Sequence, residues 1–354
     1  MRIAQVAPLI ESVPPHSYGG TERVVSWLTE ELVRQGHQVT LFASGDSQTA
    51  AELVPCSERG LRFDPVAIVP ETYHLVMIDR VWRRLADFDV VHFHLDYLHF
   101  PLFRPIATQT LTTLHGRLDL PFLNPVFHHF GEMPLVSISM HQRKPFPFAN
   151  WVAKIHHGLP RDLLPYCPSP SWDYLAFLGR ICPEKRVDRA IRIAKRVGMK
   201  LKIAAKIDKA DTKYFKEVIE PLLDHPLIEF VGEVNDHDKR DFLGNAYAML
   251  FPIDWPEPFG LVMIEAMACG TPVIAWPEGS VPEVIDHGVT GFIVDSEEEA
   301  ARAVNRASML NRLSVRQRFE NRFTVERMAA DYLALYETAA EFAKASPTSA
   351  AVSL

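Results

Sequence analysis

Cysteine is scarce in this chain of 354 residues, which contains four. Cys56, Cys167, Cys182 and Cys269 are widely separated and have no paired spacing. Their distribution excludes a disulfide framework, a zinc finger and a redox CxxC motif. A chain without such cysteine chemistry is expected to work in a reducing cytoplasm.

The sequence also lacks an excess of positive charge and a long apolar run. Lysine and arginine number 37 against 44 aspartates and glutamates, a formal net charge of −7. No overall positive field exists to attract nucleic acid or an anionic membrane, so an anionic ligand must be held locally. No uncharged apolar run reaches the roughly 18 residues of a spanning helix. The opening MRIAQVAPLI is typical of a strand rather than a secretory signal, and we expect a cytoplasmic protein with at most peripheral membrane contact.

What the sequence does contain is enough apolar material, 47% of all residues, for about two domains. A buried strand at Ile3–Ala7, an apolar helical stripe from Val24 to Val33 and a second strand at Val39–Ala43 indicate a βαβ unit, which builds parallel sheets. We therefore predict a Rossmann-like N-terminal domain over residues 1–165. Its further predicted strands are Val90–Phe93, Thr110–Leu114 and Leu135–Ser139.

Proline is dense between Pro101 and Pro170, which makes long helices improbable there. The segment PYCPSPSWD favours a linker near Leu164–Trp172. Beyond it, strands and helices alternate regularly and predict a second doubly wound sheet over residues 166–325. A final helix over 326–345 is expected to pack back toward the N-terminal domain, followed by a frayed tail over 346–354. Within the second domain the predicted strands are Leu175–Leu178, Leu201–Ala205, Ile228–Val231, Met249–Phe251, Val273–Ala275 and Phe292–Val294, and the predicted helices are Val187–Val197, Tyr214–Leu223, Lys239–Ala246 and Leu261–Ala268.

Charged side chains follow several strands of the second predicted sheet. Ligands of open parallel sheets bind outside the carboxyl ends of the strands. Arg180 and Lys185 lie in one such loop, at the start of a helix, where cations and free backbone amides can converge on a phosphate. Lys206 and Glu233 follow the next two strands. An arbitrary Arg and Lys are more often solvated surface charges, but this location favours a clamp for a polyanion.

The segment EPFGLVMIEAMACGTPV carries the most information. Gly260 permits a close backbone approach, and the amides of Leu261 and Val262 open a helix that can point at a pyrophosphate. Glu257 precedes this helix and Glu265 lies one turn into it. Carboxylates beside a phosphate site repel it unless they accept hydrogen bonds from neutral hydroxyls, as an acidic residue of a Rossmann fold does from ribose. We therefore expect a ribose at Glu265 and a transferred sugar at Glu257.

At this point the chain resembles a known family. The spacing of Glu257 and Glu265, with seven residues between them, is similar to the signature of glycosyltransferase family 4. The members of that family are retaining enzymes of the GT-B fold, in which two Rossmann-like domains face a central cleft. The resemblance covers nearly the whole chain, because further segments of that family resemble FLGRICPEKRVDRAI, GTPVIAWPEGSVPEVIDHGVTGFIV, YGGTERVV, DVVHFH and TTLHG. SVPPHSYGG resembles a bacterial subset.

The resemblance implies a role for each matching residue. Glu257 and the amides of Phe259, Gly260 and Leu261 would hold the donor sugar, with Val262, Lys206 and Glu233 also on the donor side. Glu265 would hold the ribose, while Arg180 and Lys185 would stabilise the leaving diphosphate. His115 would contact the transferred sugar, and Gly20 would admit the donor phosphate closely. It further implies a metal-independent front-face reaction that needs no cofactor.

Other interpretations keep parts of this pattern. A sugar phosphorylase or a nucleotide-sugar epimerase would use the same phosphate clamp, and a non-catalytic module would only bind the nucleotide sugar.

The 15 histidines, with His92 and His94 on one strand face, suggest a metal site, but spacing fixes no third ligand. Asp236–Asp238 is a DxD tripeptide better explained by helix capping. The expected donor is UDP-glucose in preference to GDP-mannose, and the expected acceptor is a small molecule, a glycan or a lipid-linked acceptor.

Overall fold

The computed structural model describes residues 1–16, 19–64 and 67–345. The chain divides into two compact units. Unit 1 contains Met1–Gly158 and the C-terminal helix Val325–Ala345, and unit 2 contains Leu159–Thr324. The frayed tail predicted over 346–354 lies outside the described residues.

Each unit is built on one parallel sheet. Over the described residues, unit 1 has a seven-stranded sheet in the order β3-β2-β1-β4-β5-β6-β7, and unit 2 has a six-stranded sheet in the order β10-β9-β8-β11-β12-β13. The predicted class, α/β with two doubly wound Rossmann-like sheets, is confirmed. The strands are β1 Arg2–Val6, β2 Gln38–Ser44, β3 Glu52–Ser57, β4 Val90–Phe93, β5 Thr110–Thr113, β6 Leu135–Ser137, β7 Trp151–Lys154, β8 Tyr174–Arg180, β9 Lys200–Lys206, β10 Ile228–Gly232, β11 Ala248–Phe251, β12 Val273–Ala275 and β13 Gly291–Ile293.

Helices connect the strands in both units. The α-helices are α1 Gly20–Arg34, α2 Glu71–Arg83, α3 Phe100–Phe103, α4 Asn124–His129, α5 Val187–Val197, α6 Thr212–Tyr214, α7 Glu220–Leu223, α8 Asp236–Gly244, α9 Leu261–Ala268, α10 Val281–Val284, α11 Glu297–Arg306, α12 Arg312–Arg322 and α13 Val325–Ala345. A π-helical turn, Phe215–Ile219, joins α6 to α7. The 3₁₀ turns are Leu61–Phe63, Leu85–Asp87, Arg104–Gln109, Pro121–Leu123, His141–Arg143, Pro183–Lys185, Lys209–Asp211 and Ala307–Met309.

Helix α5 shows why the elements that carry the site form where they do. Val187, Ala190, Ile191 and Ala194 recur at helical spacing and are fully buried in the core of unit 2. Gly198 ends the helix in a left-handed conformation with φ of 68°, which glycine adopts without steric cost. Strand β9 follows directly, so α5 spans the crossover between the parallel strands β8 and β9.

The structure departs from the predicted elements in several places. Strands β3 and β7 and helices α2, α11 and α12 were not predicted, and α8 begins at Asp236 rather than Lys239. Their apolar patterns are short or interrupted by charge, which hides the period. The units divide after Gly158, before the predicted 165/166 boundary. The Arg316 guanidinium in α12 donates to the Leu164 carbonyl at 2.8 Å and the Arg161 carbonyl at 2.9 Å, which ties residues 161–164 to unit 2.

Candidate functional site

Two cations end the central strands of unit 2 side by side. Arg180 is the last residue of β8 and pairs in register with Lys206, the last residue of β9. Asp208 lies 3.5 Å from Arg180 Nη1 and 3.1 Å from Lys206 Nζ, and Asp211 lies 3.6 Å from Arg180 Nε. The side chain of Arg180 is 38% exposed, and long, partly exposed ion pairs of this kind are weak. These ion pairs with Asp208 and Asp211 therefore hold the Arg180 guanidinium only weakly.

Lys185 lies on the loop that follows Arg180 and has different partners. It ends the 3₁₀ turn Pro183–Lys185, and its ammonium forms an ion pair with Glu257. The same ammonium lies 4.9 Å from the ring centroid of Trp255 and 5.4 Å from that of Phe251. Such cation–π contacts are worth about 0.5 to 2 kcal/mol each. The lysine is thus held in place by a carboxylate and two aromatic rings.

Glu257 is itself positioned by the loop after β12. Its side chain is 10% exposed and accepts from the indole Nε1 of Trp255 at 3.2 Å. The Ser280 amide donates to the Glu257 carbonyl at 2.9 Å, and the Ser280 hydroxyl donates to the Phe259 carbonyl at 2.7 Å. Gly279, with φ of 60°, lies so close that a Cβ there would be 2.2 Å from the Glu257 carbonyl oxygen. The segment WPEGS therefore acts as a backbone brace for the segment EPFG.

Helix α9 begins immediately after this braced loop. Gly260 precedes it with φ of 78°, and within the described chain no side chain caps this end. A Cβ on Gly260 would lie 2.8 Å from Cε of Met263, the far end of a flexible side chain that can move aside, so glycine is favoured here chiefly for its left-handed conformation. Leu261 and Val262 are the first two residues of α9, and their amides have no earlier turn to bond within the helix. This helix start can bind an anion.

Glu265 forms a buried ion pair one turn into α9. Its carboxylate accepts from the Lys239 ammonium of α8 at 2.8 Å, and the two side chains are 4% and 11% exposed. Sequence reasoning missed Lys239, because 26 residues separate the two partners and no short motif joins them. Glu233, by contrast, follows β10 as an exposed residue, and Phe259 is 2% exposed.

The two candidate residues of unit 1 lie at other strand ends. Gly20 is the first residue of α1, which follows β1, and His115 follows β5. Gln142 holds the backbone on both sides of His115: its side-chain Nε2 donates to the Leu114 carbonyl at 2.9 Å and the Gly116 carbonyl at 2.8 Å. His115 is thus presented on a pinned loop.

Five histidines near the unit 1 sheet are neutral because burial lowers their pKa values, and we call them the five buried histidines: His92, His94, His99, His115 and His157. Burial lowers the pKa of His115 to about 3 and lowers the pKa values of the other four further below their usual range. The ring nitrogens of His92 bond Tyr336 and Thr113, and those of His94 bond His115 and Gln5. Over the described residues no cluster of three or more His, Cys, Asp or Glu side chains could hold a metal ion.

The DxD tripeptide lies in the first turn of α8. The capping side chain is that of the preceding residue, Asn235, whose oxygen accepts from the Asp238 amide at 2.9 Å. Capping thus explains why the helix starts here, but the cap is the asparagine rather than an aspartate of the tripeptide.

Comparison with known proteins decides the family. The profile of "Glycosyltransferase Family 4" matches residues 18–158, and that of "Glycosyl transferases group 1" matches residues 171–323. The two together span most of each unit. The chain belongs to glycosyltransferase family 4.

Relatives of this glycosyltransferase extend over its whole length. A phosphatidyl-myo-inositol mannosyltransferase of Mycobacterium leprae is 24% identical and covers 96% of this chain and 97% of its own. Among solved structures, sucrose-phosphate synthase of Thermosynechococcus elongatus superposes with a TM-score of 0.77 at 19% identity, over 98% of this chain and 100% of its own. HepE of Anabaena, in complex with UDP and glucose, gives 0.72 at 18% identity, over 96% and 100%. The fold is therefore GT-B, and the chain is an enzyme that transfers a glycosyl group.

One further finding concerns membranes. Among the described residues, no helix of this glycosyltransferase combines the length and apolar character that crossing a bilayer requires.

Proposed function

We propose that this enzyme moves a hexose, with retention of configuration, from a nucleotide-diphosphate sugar to an acceptor hydroxyl. UDP-glucose and GDP-mannose are the donor types considered, with UDP-glucose preferred. Support comes chiefly from one observation: in unit 2, Arg180 ends strand β8, Lys185 lies on the loop after β8, and α9 begins after the loop that follows β11. Parallel sheets bind nucleotides at this edge.

The diphosphate would replace carboxylates as the partner of these cations. Arg180 and Lys206 share Asp208, and Lys185 is paired with Glu257. Phosphate oxygens are strong acceptors for such charge-assisted hydrogen bonds. As the bond between sugar and phosphate breaks, the growing negative charge on the leaving group is matched by donors already in place. We propose that these donors suffice without a metal ion.

The two glutamates would then bind hydroxyls. Glu265, fixed by Lys239, is proposed to accept from the ribose diol. Glu257, fixed by the Ser280 and Gly279 brace, is proposed to accept from hydroxyls of the transferred sugar together with the amides of Phe259, Gly260 and Leu261. Val262 would add an amide to the diphosphate side, and Glu233 would lie near the base.

In unit 1, His115 is proposed to contact the transferred sugar, and Gly20 to allow close approach of the donor phosphate. Because His115 is neutral over the physiological range, it would bind rather than supply a proton. A front-face reaction needs no protein nucleophile. The oxygen of the acceptor hydroxyl would bond to the anomeric carbon while the departing phosphate oxygen takes the proton of that hydroxyl.

Alanine variants of the cations test the clamp. Removing one preorganised donor typically costs roughly 2.7 to 4 kcal/mol in the barrier, so R180A and K185A should each lower kcat about 100-fold or more. Arg196 provides a matched control, since it lies on α5 and pairs with Glu298 at the surface, and R196A should leave kcat within about twofold. Equal kcat values for K185A and R196A would refute the clamp.

Stereochemistry and metal dependence are tested with the donor alone. Proton NMR of slow UDP-glucose hydrolysis should show the α-anomer of glucose first, and EDTA should not change the rate. Initial β-glucose would rule out retention, and loss of turnover in EDTA that added Mg²⁺ restores would rule out the metal-free mechanism.

A further inference from the structure

His115 stands at the end of a chain of buried hydrogen bonds. Its Nε2 lies 2.8 Å from His94 Nδ1. His94 Nε2 lies 2.9 Å from the carboxamide oxygen of Gln5, and the carboxamide nitrogen of Gln5 donates to the Tyr336 hydroxyl at 3.0 Å. This series of hydrogen bonds, which we call the relay, links Tyr336, Gln5, His94 and His115. It therefore runs from helix α13 through strand β1 and the residue after β4 to the loop after β5. All its members lie within unit 1.

The direction of each hydrogen bond follows from the chemistry of the groups. A carboxamide oxygen only accepts, so His94 Nε2 carries the proton that it donates to Gln5. A neutral imidazole has a single N–H, so His94 Nδ1 must accept, and His115 Nε2 must donate to it. The remaining nitrogen of His115, Nδ1, is then a bare lone pair. This tautomer is dictated by the Gln5 side chain, two hydrogen bonds away.

The environment keeps both rings in the neutral form that this assignment requires. Burial is the main cause that lowers the pKa of His115 to about 3, and burial also lowers the pKa of His94 well below its usual range. A carboxylate in place of the Gln5 amide would favour an imidazolium, because an opposite charge stabilises the charged form. The neutral amide of Gln5 fixes the proton of His94 on Nε2 without favouring a second proton on that ring.

His115 Nδ1 is also an unsatisfied polar atom. It is excluded from solvent, and no group of the described residues bonds it. The ring stacks on His157 with centroids 5.2 Å apart and planes 17° apart, which limits its freedom to turn. Buried polar atoms in native proteins nearly always have a partner, but Nδ1 of His99 is unpaired in the same way. What distinguishes His115 is its position just after β5, at the carboxyl edge of the parallel sheet, where ligands of such sheets bind. A bare nitrogen can take only a donor such as a hydroxyl.

We propose that Gln5 and His94 are positioning residues that lock His115 in the tautomer whose Nδ1 accepts a hydrogen bond from a hydroxyl of the transferred sugar. This inference rests on the proposed function, in which His115 contacts that sugar. It assigns the relay a role in recognition of the sugar, not of the nucleotide. Donors that offer a hydroxyl at this point are favoured over donors that lack it there.

Binding measurements on four variants separate the relay from the nucleotide site. Calorimetry would give Kd for UDP-glucose and for UDP with the wild-type enzyme, Q5L, H115A, the double variant and the control H99L. Loss of one neutral hydrogen bond changes affinity about threefold to tenfold. Q5L and H115A should each raise Kd for UDP-glucose by that factor and leave Kd for UDP within twofold. The double variant should bind like H115A alone, because the relay acts only through His115.

The control and a conservative variant sharpen the result. His99 is fully buried, its Nδ1 is also unpaired, and its Nε2 bonds Thr112 rather than any relay member, so H99L should leave both affinities unchanged. Q5E replaces the amide with a carboxylate that favours an imidazolium at His94. His94 Nδ1 would then donate to His115 Nε2 and leave the proton of His115 on Nδ1, so Q5E should bind UDP-glucose as weakly as Q5L. An additive double variant would overturn the relay, as would a Q5L variant that binds UDP-glucose like wild type.

A nitrogen-15 NMR spectrum of the wild-type enzyme tests the tautomer without any variant. It should show His115 with a protonated Nε2 and a bare Nδ1, and a protonated Nδ1 would overturn the proposal. The outcomes also separate the two claims. If H115A weakens UDP-glucose binding and Q5L does not, the relay fails while the sugar contact stands; if H115A has no effect, the proposed role of His115 itself fails.

Discussion

The brace between Gly279 and Glu257 gives the sharpest prediction for a single substitution. In G279A the new Cβ would lie 2.2 Å from the Glu257 carbonyl oxygen and 2.3 Å from its amide nitrogen, whereas ordinary contacts begin at 3.4 Å. The two segments must separate by about 1 Å, and a misplacement of that size near a reacting centre can cost about 100-fold in rate. We therefore expect kcat to fall about 100-fold, because Glu257 leaves its position beside the donor sugar.

Gly288 supplies the matched control. It has φ of 79°, also left-handed, but a Cβ there would meet nothing within 4 Å. Both G279A and G288A carry the backbone strain of an L-residue in this region, about 1 to 2 kcal/mol, and only G279A adds the collision. Urea unfolding should show a loss of stability from strain in both variants and a further loss in G279A, because its collision with the Glu257 backbone adds to the strain. Steady-state kinetics with UDP-glucose, under conditions in which both variants are folded, should show a rate defect in G279A alone. Equal kcat values in the two variants would refute the brace.

Three other predictions test different parts of the account. E265A should weaken UDP binding by about 1.5 to 3 kcal/mol, the worth of a hydrogen bond to a charged group, and an unchanged calorimetric Kd would remove the ribose role. K239M should cost about 3 to 5 kcal/mol of stability in urea unfolding, because the carboxylate of Glu265 is left buried and unpaired; K239M/E265Q should recover most of that loss, and no recovery would contradict the pairing. Each of the five buried histidines should make the protein about 1.4 kcal/mol less stable at pH 5.5 than at pH 7.5, because its depressed pKa lets it take up a proton only after unfolding. Glu22, whose pKa burial raises to about 6, acts in the opposite direction and is worth less than one histidine, so a urea midpoint that does not fall on acidification would contradict this reasoning.

The fold was readable where apolar periods were long or uninterrupted. Strand β4 and helices α5 and α9 have the predicted bounds, because a fully buried strand or helix face leaves a clear apolar signature. Strand β3, with the sequence ELVPCS, is only partly buried and contains a proline, so it gives no such pattern. Helix α12 is mostly polar, and its buried Arg312 and Arg316 bond carbonyls instead of packing as apolar side chains.

The candidate site was readable as a set of residues but not as a set of contacts. Linear spacing singled out Glu257 and Glu265, whose side chains are fixed by residues far away in the sequence. Lys239 lies 26 residues from Glu265, and Lys185 lies 72 residues from Glu257. The basic pair is also divided in the structure, with Arg180 directed to aspartates and Lys185 to a glutamate. Such pairings depend on how parallel strands bring distant loops to one edge, which a single sequence does not encode locally.

The central claim is that one nucleoside diphosphate binds to unit 2 at Arg180, Lys185 and the start of α9, with its ribose at Glu265. A crystal structure of the full chain with UDP or GDP tests it most directly. The account predicts phosphate oxygens within hydrogen-bond distance of the Leu261 and Val262 amides and the ribose diol on the Glu265 carboxylate. A nucleotide bound elsewhere on the molecule, with that helix start not in contact with phosphate, would contradict it.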